Sequence, residues 1–285
     1  MNREATNQKK RNTRPLKRFG QHWLKSEKVL QKIVAAADIK YSDRILEIGA
    51  GTGILTSYLL ELSAAVTSVE IDRNLNQKLV KKFGERDNFL LLQGDFLTLN
   101  IPELLEQFPK FQSHNKVVAN IPYNITGLIL EKLFGSIYEP AITNYESVVL
   151  LIQKEVGDRL VAKPGTKAYS ALSVRMQYLT DCSLVCDVPA KAFYPPPKVD
   201  SVVVELRPKI IDPPAKDPRL LGTLIKLGFS NRRKMLRNNL KSLISVENLT
   251  TLLSELAIDP QARAENLSVR NWIDLSNNFP LFNQQ

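Results

Sequence analysis

Residues 47–53, Glu47-Ile48-Gly49-Ala50-Gly51-Thr52-Gly53, decide the fold class of this chain. The apolar run Arg44–Ile48 that leads into them predicts a buried strand, and the helical spacing of Ile54–Ser63 predicts a helix after them. Glycines between a strand and a helix let the backbone turn sharply and approach a ligand closely. The segment therefore predicts the first strand–loop–helix unit of an α/β sheet.

Further strands and helices extend this unit. The predicted strands are Ala65–Ile71, Phe89–Gln93 and Lys116–Asn120, and the predicted helices are Ser26–Asp38 and Arg73–Phe83. Strands that recur with helices between them form right-handed βαβ units and a parallel sheet. We therefore expect a Rossmann-like arrangement.

The pattern changes after Asn120. Helices are predicted at Thr126–Gly135 and Lys154–Ala162, and strands at Glu146–Ile152, Ser183–Pro189 and Val199–Leu206. The last two strands flank a proline-rich turn, which favours an antiparallel edge on a mostly parallel sheet.

The segment Arg207–Pro218 is the best candidate for a domain boundary, because it holds four prolines and little periodicity. The pattern beyond it is purely helical, with helices predicted at 219–229, 232–244, 246–257 and 268–277. We expect three parts: a disordered basic arm at 1–16, an α/β domain at 17–207 and a small all-α domain at 208–285.

The loop spacing and two acidic residues point to the ligand. The loop has the form G-x-G-x-G, whereas dinucleotide sites have G-x-G-x-x-G. Glu70 follows Gly49 by roughly 20 residues, which suits a carboxylate that binds ribose hydroxyls. Asp95 ends the third strand, where it can accept a hydrogen bond from an adenine amine. Together with Asn120 these residues would line one crevice, and they favour S-adenosylmethionine as the cofactor.

Each of these features also has a purely structural explanation. A tight turn alone accounts for many G-x-G-x-G loops. Glu70-Ile71-Asp72 could cap the helix that follows, and Asp95 could cap a short turn. Four strand ends in register are harder to explain in this way.

Asn120-Ile121-Pro122-Tyr123 predicts the chemistry. An adenine 6-amino nitrogen must pyramidalise before it can attack a methyl sulfonium. Two acceptors favour that geometry, namely the Asn120 side-chain oxygen and the Ile121 carbonyl. Pro122 restricts the residue before it to an extended conformation, and Tyr123 offers a face for stacking a base. A strand that runs into an Asn-Pro-like turn is the structural alternative.

The net charge and its distribution along the chain indicate the class of binding partner. The net charge is +10, and basic residues concentrate in residues 1–18 and in 207–241, including Arg232, Arg233, Lys234 and Arg237. Such a balance favours nucleic acid as a partner, although a solvated charged face is an alternative for the second cluster. The two cysteines and two histidines lack the spacing of a zinc site, and no apolar run approaches a membrane span. We expect no metal and no membrane partner.

With these motifs together, the chain resembles the KsgA family of ribosomal RNA adenine dimethyltransferases over roughly residues 17–275. The motifs that resemble the family's are Arg18–Leu24, Glu47–Gly53, Glu70–Asp72, Gly94–Phe96, Asn120–Tyr123 and Phe193–Ser201. Bacterial members usually carry Asn where this chain has His22, whereas eukaryotic relatives often carry His.

The resemblance implies a class I S-adenosylmethionine methyltransferase fold and four methyl transfers to two adjacent adenosines. These adenosines lie in the 3′-terminal hairpin loop of 16S, small-subunit, ribosomal RNA. Cofactor contacts are implied at His22, Leu24, Gly49, Gly51, Glu70, Ile71, Asp95, Phe96 and Asn120. The implied catalytic residues are Asn120, Ile121, Tyr123 and Phe193, with Tyr123 and Phe193 stacking on either side of the flipped base.

Two other functions remain open. An Erm-type enzyme, which methylates an adenosine of 23S ribosomal RNA, shares nearly all the core motifs. A non-catalytic RNA- or DNA-binding assembly factor could use the same fold. The basic cluster Arg232–Arg237 favours the small ribosomal subunit or its precursor as partner. We expect a cytoplasmic monomer.

Overall fold

The computed structural model describes residues 15–16, 19–141 and 145–280. The arm predicted at 1–16 therefore lies almost entirely outside the described residues. Within them the strands are β1 Trp23–Leu24, β2 Arg44–Ile48, β3 Ala65–Glu70, β4 Phe89–Gln93, β5 Lys116–Asn120, β6 Ser147–Gln153, β7 Thr180–Val188, β8 Phe193–Tyr194 and β9 Ser201–Pro208. The helices are α1 Glu27–Ala37, α2 Ile54–Leu62, α3 Arg73–Phe83, α4 Ile101–Leu104, α5 Thr126–Phe134, α6 Lys154–Leu160, α7 Ala171–Leu179, α8 Pro218–Gly228, α9 Leu236–Asn239, α10 Val246–Glu255 and α11 Val269–Asn278.

The main sheet has the order β4-β3-β2-β5-β6-β9-β7. The five strands from β4 to β6 are parallel, and β9 and β7 are antiparallel to their neighbours. This confirms the predicted parallel sheet with an antiparallel edge. The chain runs outward from β2 to β4 and then returns to β5 beside β2. That reversal leaves a crevice at the carboxyl ends of β2 and β5, where open α/β sheets bind ligands.

The central strands are apolar because both faces of the sheet are covered. Successive residues of a strand point to opposite faces, and β6 shows this directly. Leu150 belongs to one apolar cluster and Leu151 to the other. The first cluster includes residues of α5, α7 and the helices after residue 217, and the second includes residues of α1, α2 and α3. The sheet is thus held rigidly between two helical layers.

One predicted helix is wrong over most of its length. Residues 232–244 were expected to be helical, but only Leu236–Asn239 forms a helix. Hydrogen bonds to other segments compete with the helix there: the Asn239 amide donates to the carbonyls of Gly228 and Asn231, and the Leu236 N–H donates to Ala262. These bonds hold 229–235 as a loop.

Helix α7 was not predicted from the sequence. It buries side chains around most of its circumference, among them Ser173, Val174 and Met176. Burial on all sides removes the polar face that gives an amphipathic helix its period. The hydrophobic pattern of α7 therefore lacks the helical period that would predict a helix.

The helices after residue 217 share their core with the sheet. Leu221 of α8 and Trp272 of α11 are essentially fully buried, in the same apolar cluster as Leu150 of β6. The predicted division into domains at 207 and 208 stays a prediction. No helix within the described ranges has both the length and the apolar character to cross a membrane.

Candidate active site

A cavity of about 270 Å³ opens at the carboxyl ends of β2, β3, β4 and β5. Its walls include the four strand-end residues that the sequence singled out, Gly49, Glu70, Asp95 and Asn120. The segment that carries β1 closes the cavity from above, with residues 19–24 on its wall. Predicted site residues from five separate segments of the chain therefore share one crevice.

The glycine loop forms the floor of this crevice. Gly51 has φ of +59°, a backbone conformation that glycine adopts without steric cost. A Cβ at Gly53, which has φ of +74°, would lie 2.6 Å from Phe83 of α3. Glycine at position 53 therefore allows close packing against Phe83 as well as the turn.

Glu70 at the end of β3 is 4% exposed, and it binds the loop. Its Oε2 accepts a hydrogen bond from the Gly51 N–H at 2.8 Å, and its Oε1 accepts one from the Asp72 N–H at 2.9 Å. Burial raises the pKa of Glu70, and these backbone hydrogen bonds oppose the rise. Asp72, and not Glu70, caps α3, because its carboxylate accepts from the Asn74 N–H. Helix capping therefore does not account for Glu70, which lines the cavity, and its neighbour Ile71 is 40% exposed on the wall.

Asp95 lies half-buried on the adjacent wall, with Phe96 buried behind it. One Asp95 oxygen accepts from the Leu97 N–H at 2.9 Å, which fixes the carboxylate. Lys132 of α5 secures the loop that follows: its Nζ donates to the Leu99 carbonyl at 2.7 Å and lies 5.0 Å from the centre of the Phe96 ring. The wall is therefore shaped before any ligand binds.

Asn120 is oriented by a single hydrogen bond. Its Nδ2 donates to the backbone carbonyl of His22 at 3.1 Å. A carbonyl only accepts, so this contact determines which end of the amide faces His22. The Oδ1 atom is left as an acceptor for a group in the cavity. Ile121 also lines the cavity, but its side chain is packed in the core, 2% exposed.

Tyr123 and His22 form a stacked pair at the mouth. Their ring centroids are 5.9 Å apart with an interplanar angle of 18°. The Tyr123 hydroxyl hydrogen-bonds to Ser201, and the His22 Nδ1 contacts the Pro195 carbonyl at 2.7 Å. Burial raises the pKa of Tyr123 and the Ser201 hydrogen bond lowers it. The Tyr123 ring is therefore anchored by the first residue of β9, and the His22 ring by the residue after β8.

Phe193 and Leu24 occupy the pairing between β1 and β8, where Leu24 lies opposite Phe193. Phe193 is 1% exposed and belongs to the core beneath the mouth, whereas Tyr194 is 54% exposed. Stacking of Phe193 on a base stays a prediction, and it requires the ring to be uncovered when substrate binds.

Glu47 is a buried carboxylate on the cavity wall, 1% exposed. Its Oε2 accepts from the hydroxyls of Thr56 at 2.7 Å and Ser68 at 2.5 Å, while Oε1 has no partner within the described residues. Burial raises the pKa of Glu47 to about 7, and the nearby Glu70 carboxylate contributes to the rise. An unpaired buried acceptor of this kind suits a site that binds a cation.

We expect Glu47 to make stability depend on pH. Between its ordinary pKa of 4.5 and about 7, the folded protein holds a proton that the unfolded chain has released. The contribution of Glu47 to stability therefore falls by about 3 kcal/mol as pH rises through this window. Buried His114, whose pKa is lowered to about 4, contributes in the opposite direction below about pH 6.5. Urea unfolding at pH 5 and pH 8 measures this contribution by comparison: from pH 5 to pH 8, the stability of Glu47→Gln should change by up to about 3 kcal/mol more favourably than that of the unaltered protein. A change in Glu47→Gln equal to that of the unaltered protein, matching the exposed control Glu61→Gln, would contradict the assignment.

The predicted RNA-binding cluster lies outside the cavity, on the loop before α9 and on α9 itself. Arg232 donates to the carbonyls of Lys167 at 2.8 Å and Tyr169 at 3.0 Å, and its guanidinium lies 2.7 Å from the Glu265 carboxylate. Arg232 thus connects the loop to the rest of the molecule. Arg233 and Lys234 are exposed and Arg237 is half-buried.

Sequence reasoning missed several residues that shape the site. The Trp23 ring lies 3.5 Å from where a Gly51 Cβ would stand, and Gln21 donates to Asp72 at 3.1 Å. Ser201 and Pro195 hold the two stacked rings. All four belong to segments that the sequence motifs included, but only the fold shows what they contact. Among the described residues, no group of three or more His, Cys, Asp or Glu could hold a metal ion.

Comparison with known proteins identifies related chains. The family model described as ribosomal RNA adenine dimethylase matches residues 12–280. A protein named ribosomal RNA small subunit methyltransferase A from Trichormus variabilis is 60% identical over 93% of this chain and 97% of its own. The protein of the same name from Synechocystis is 57% identical over 94% and 98%.

Two crystal structures share the fold. A dimethyladenosine transferase from Plasmodium falciparum is 29% identical with a TM-score of 0.72, over 89% of this chain and 96% of its own. The 23S rRNA methyltransferase ErmE is 24% identical with a TM-score of 0.70, over 89% and 97%.

Proposed function

The chain belongs to the ribosomal RNA adenine dimethylase family, and we propose that it dimethylates the 6-amino groups of two adjacent adenosines in the 3′-terminal hairpin loop of small-subunit ribosomal RNA. The observation that carries this proposal is the hydrogen bonding of Asn120, which lines the cavity and whose Nδ2 is bound to His22, so that Oδ1 is left as an acceptor. An acceptor at this place can hold the amine of a flipped adenine.

The residues present fit S-adenosylmethionine. Glu47 carries an unpaired buried oxygen on the cavity wall, which suits a cationic ligand. Glu70 would hold the ribose hydroxyls, Asp95 the adenine amine, and Gly49 and Gly51 would let the ligand approach the backbone. Bound there, S-adenosylmethionine supplies an electrophilic methyl group on a sulfonium.

The chain's own residues then position the nucleophile. Asn120 Oδ1 and the Ile121 carbonyl accept hydrogen bonds from the amine, which localises the lone pair on the nitrogen. Tyr123 stacks on the base, held by Ser201 and by the His22 ring. The buried side chains of Glu47 and Ile121 help to exclude water from the reacting atoms. The methylated amine is acidic enough to release its proton without a dedicated base.

The small subunit is favoured over the large one as the source of the substrate. The relatives that are about 60% identical carry small-subunit names, whereas ErmE at 24% identity indicates the fold alone. Complete cofactor and Asn120–Tyr123 motifs also argue against a purely non-catalytic assembly factor. We further propose that the enzyme is cytoplasmic and works as a monomer on the subunit or its precursor.

Methyl transfer to purified small subunits, followed by nuclease mapping of labelled RNA, tests this function. We expect label in two adjacent dimethyladenosines. Label that appears only in large-subunit RNA would support the Erm-type alternative. If S-adenosylmethionine does not bind in a titration of the pure protein, the proposal of an enzyme fails.

We expect the basic cluster to bind the phosphate groups of RNA. We expect Arg233→Ala and Lys234→Ala each to lower the slope of log affinity against log salt by about 0.7 to 0.9, one phosphate contact. Arg232→Ala should chiefly lower stability, because it breaks the bonds to Lys167 and Tyr169. Filter binding over a salt series measures the slope, with exposed Lys81→Ala on α3 as the control. Equal slopes for all variants would place the RNA elsewhere.

A further inference from the structure

Tyr194 is an exposed aromatic residue at the mouth of the active site. Neighbouring residues of a strand face opposite ways, and in β8 Phe193 is 1% exposed while Tyr194 is 54% exposed. An exposed aromatic ring beside a site for RNA is available to stack on a base. The activity described so far does not use this ring.

A chain of contacts connects Tyr194 to the base pocket. It pairs with Trp23 in the two-stranded β1–β8 sheet, and the residue after it, Pro195, holds the His22 ring at 2.7 Å. That ring stacks on Tyr123. Tyr194 therefore belongs to the same two-stranded sheet as the segments that hold the His22 ring, and it lies outside the cavity wall.

A basic side chain lies beside the Tyr194 ring. The Lys25 ammonium lies 5.8 Å from the centre of the Tyr194 ring. Other exposed lysines follow on α1 and on the segments around β8, namely Lys28, Lys32, Lys191 and Lys198. Within the described residues, none of these five lysines has a carboxylate within ion-pair distance. Unpaired cations beside an exposed ring are what single-stranded RNA binds, since bases stack and phosphates need counter-charge.

We propose that Tyr194 and Lys25 form a second nucleotide site, which holds the adenosine adjacent to the one at Asn120. The base stacks on the Tyr194 ring and a neighbouring phosphate lies against the Lys25 ammonium. The two targets are adjacent, so the partner base always lies just outside the pocket while the other is methylated. This inference rests on the proposed function and adds the place where the second adenosine is held.

The test uses the full-length protein and a hairpin RNA with 2-aminopurine at either of the two adjacent adenosines. Stacking on an aromatic ring strengthens binding by roughly 5- to 150-fold. We expect Tyr194→Ala to weaken RNA binding about tenfold, to reduce the fluorescence change of the probe, and to lower the share of product with both adenosines dimethylated. Tyr194→Phe keeps the ring and should bind within about twofold of the unaltered protein.

Lys25 is tested by salt. Lys25→Ala should lower the slope of log affinity against log salt by about 0.7, as expected for one contact to single-stranded RNA. Tyr41→Ala and Lys40→Ala are the controls, because Tyr41 is 80% exposed and Lys40 pairs with Asp38 in a different part of the surface. S-adenosylmethionine affinity should be the same in all variants.

Two outcomes separate this inference from the proposed function. If the unaltered protein methylates two adjacent adenosines and Tyr194→Ala binds the hairpin equally well, only the second nucleotide site is wrong. If the unaltered protein does not methylate small-subunit RNA at all, the proposed function fails and the second site fails with it.

Discussion

Asn120→Ala should lower the rate of methyl transfer by about 10²- to 10³-fold and leave both ligands bound. Loss of one preorganised acceptor or donor at a reacting centre has an effect of this size, about 3 to 4 kcal/mol in the barrier. Asn120 contacts His22 through its Nδ2, and in the proposed function it would contact the substrate through Oδ1. Single-turnover transfer to small subunits measures the rate, and titrations measure S-adenosylmethionine and RNA affinity.

Two further variants make the Asn120 result interpretable. Asn248→Ala removes an exposed asparagine of α10 and should transfer methyl groups at the normal rate. Asn120→Asp keeps an acceptor but cannot donate to the His22 carbonyl, so we expect a loss of at least tenfold. If Asn120→Ala lost RNA and cofactor binding along with activity, the residue would be supporting the fold and not the chemistry.

Local patterns were enough to predict the part of the fold that carries the cofactor site. The observed bounds match the predicted ones for β2, β4, β5 and α3. Each of these segments has a single hydrophobic period and is followed by turn residues or a glycine. The four strand ends in one crevice follow from the parallel sheet. One mistake is α7, where burial on most sides hides the helical period, and another is the loop around Arg232, where contacts with other segments override local preference.

The upper wall of the site could not be worked out from spacing. His22 and Pro195 are 173 positions apart, and only the pairing of β1 with β8 brings them together. The sequence motifs named His22 and Phe193 but did not show that His22 would orient Asn120 through its carbonyl. Nor did they distinguish buried Phe193 from exposed Tyr194, because two-residue strands have too short a pattern to indicate which residue faces the core.

Glu70→Ala should weaken S-adenosylmethionine binding by at least 100-fold. The carboxylate would bind the ribose, and it also holds the Gly51 N–H at 2.8 Å, so its loss removes a ligand contact and frees the loop that carries the cofactor. Hydrogen bonds to a charged group contribute about 1.5 to 3 kcal/mol each, which gives a loss of this size.

Calorimetric titration measures the affinity, with Glu61→Ala as the control because Glu61 is exposed and pairs with Arg86 on the surface. RNA affinity should change little, since the basic residues around Tyr194 and Arg233 lie outside the crevice. Normal cofactor affinity in Glu70→Ala would mean that Glu70 serves only to order the loop, and that the ribose is bound by other groups on the wall.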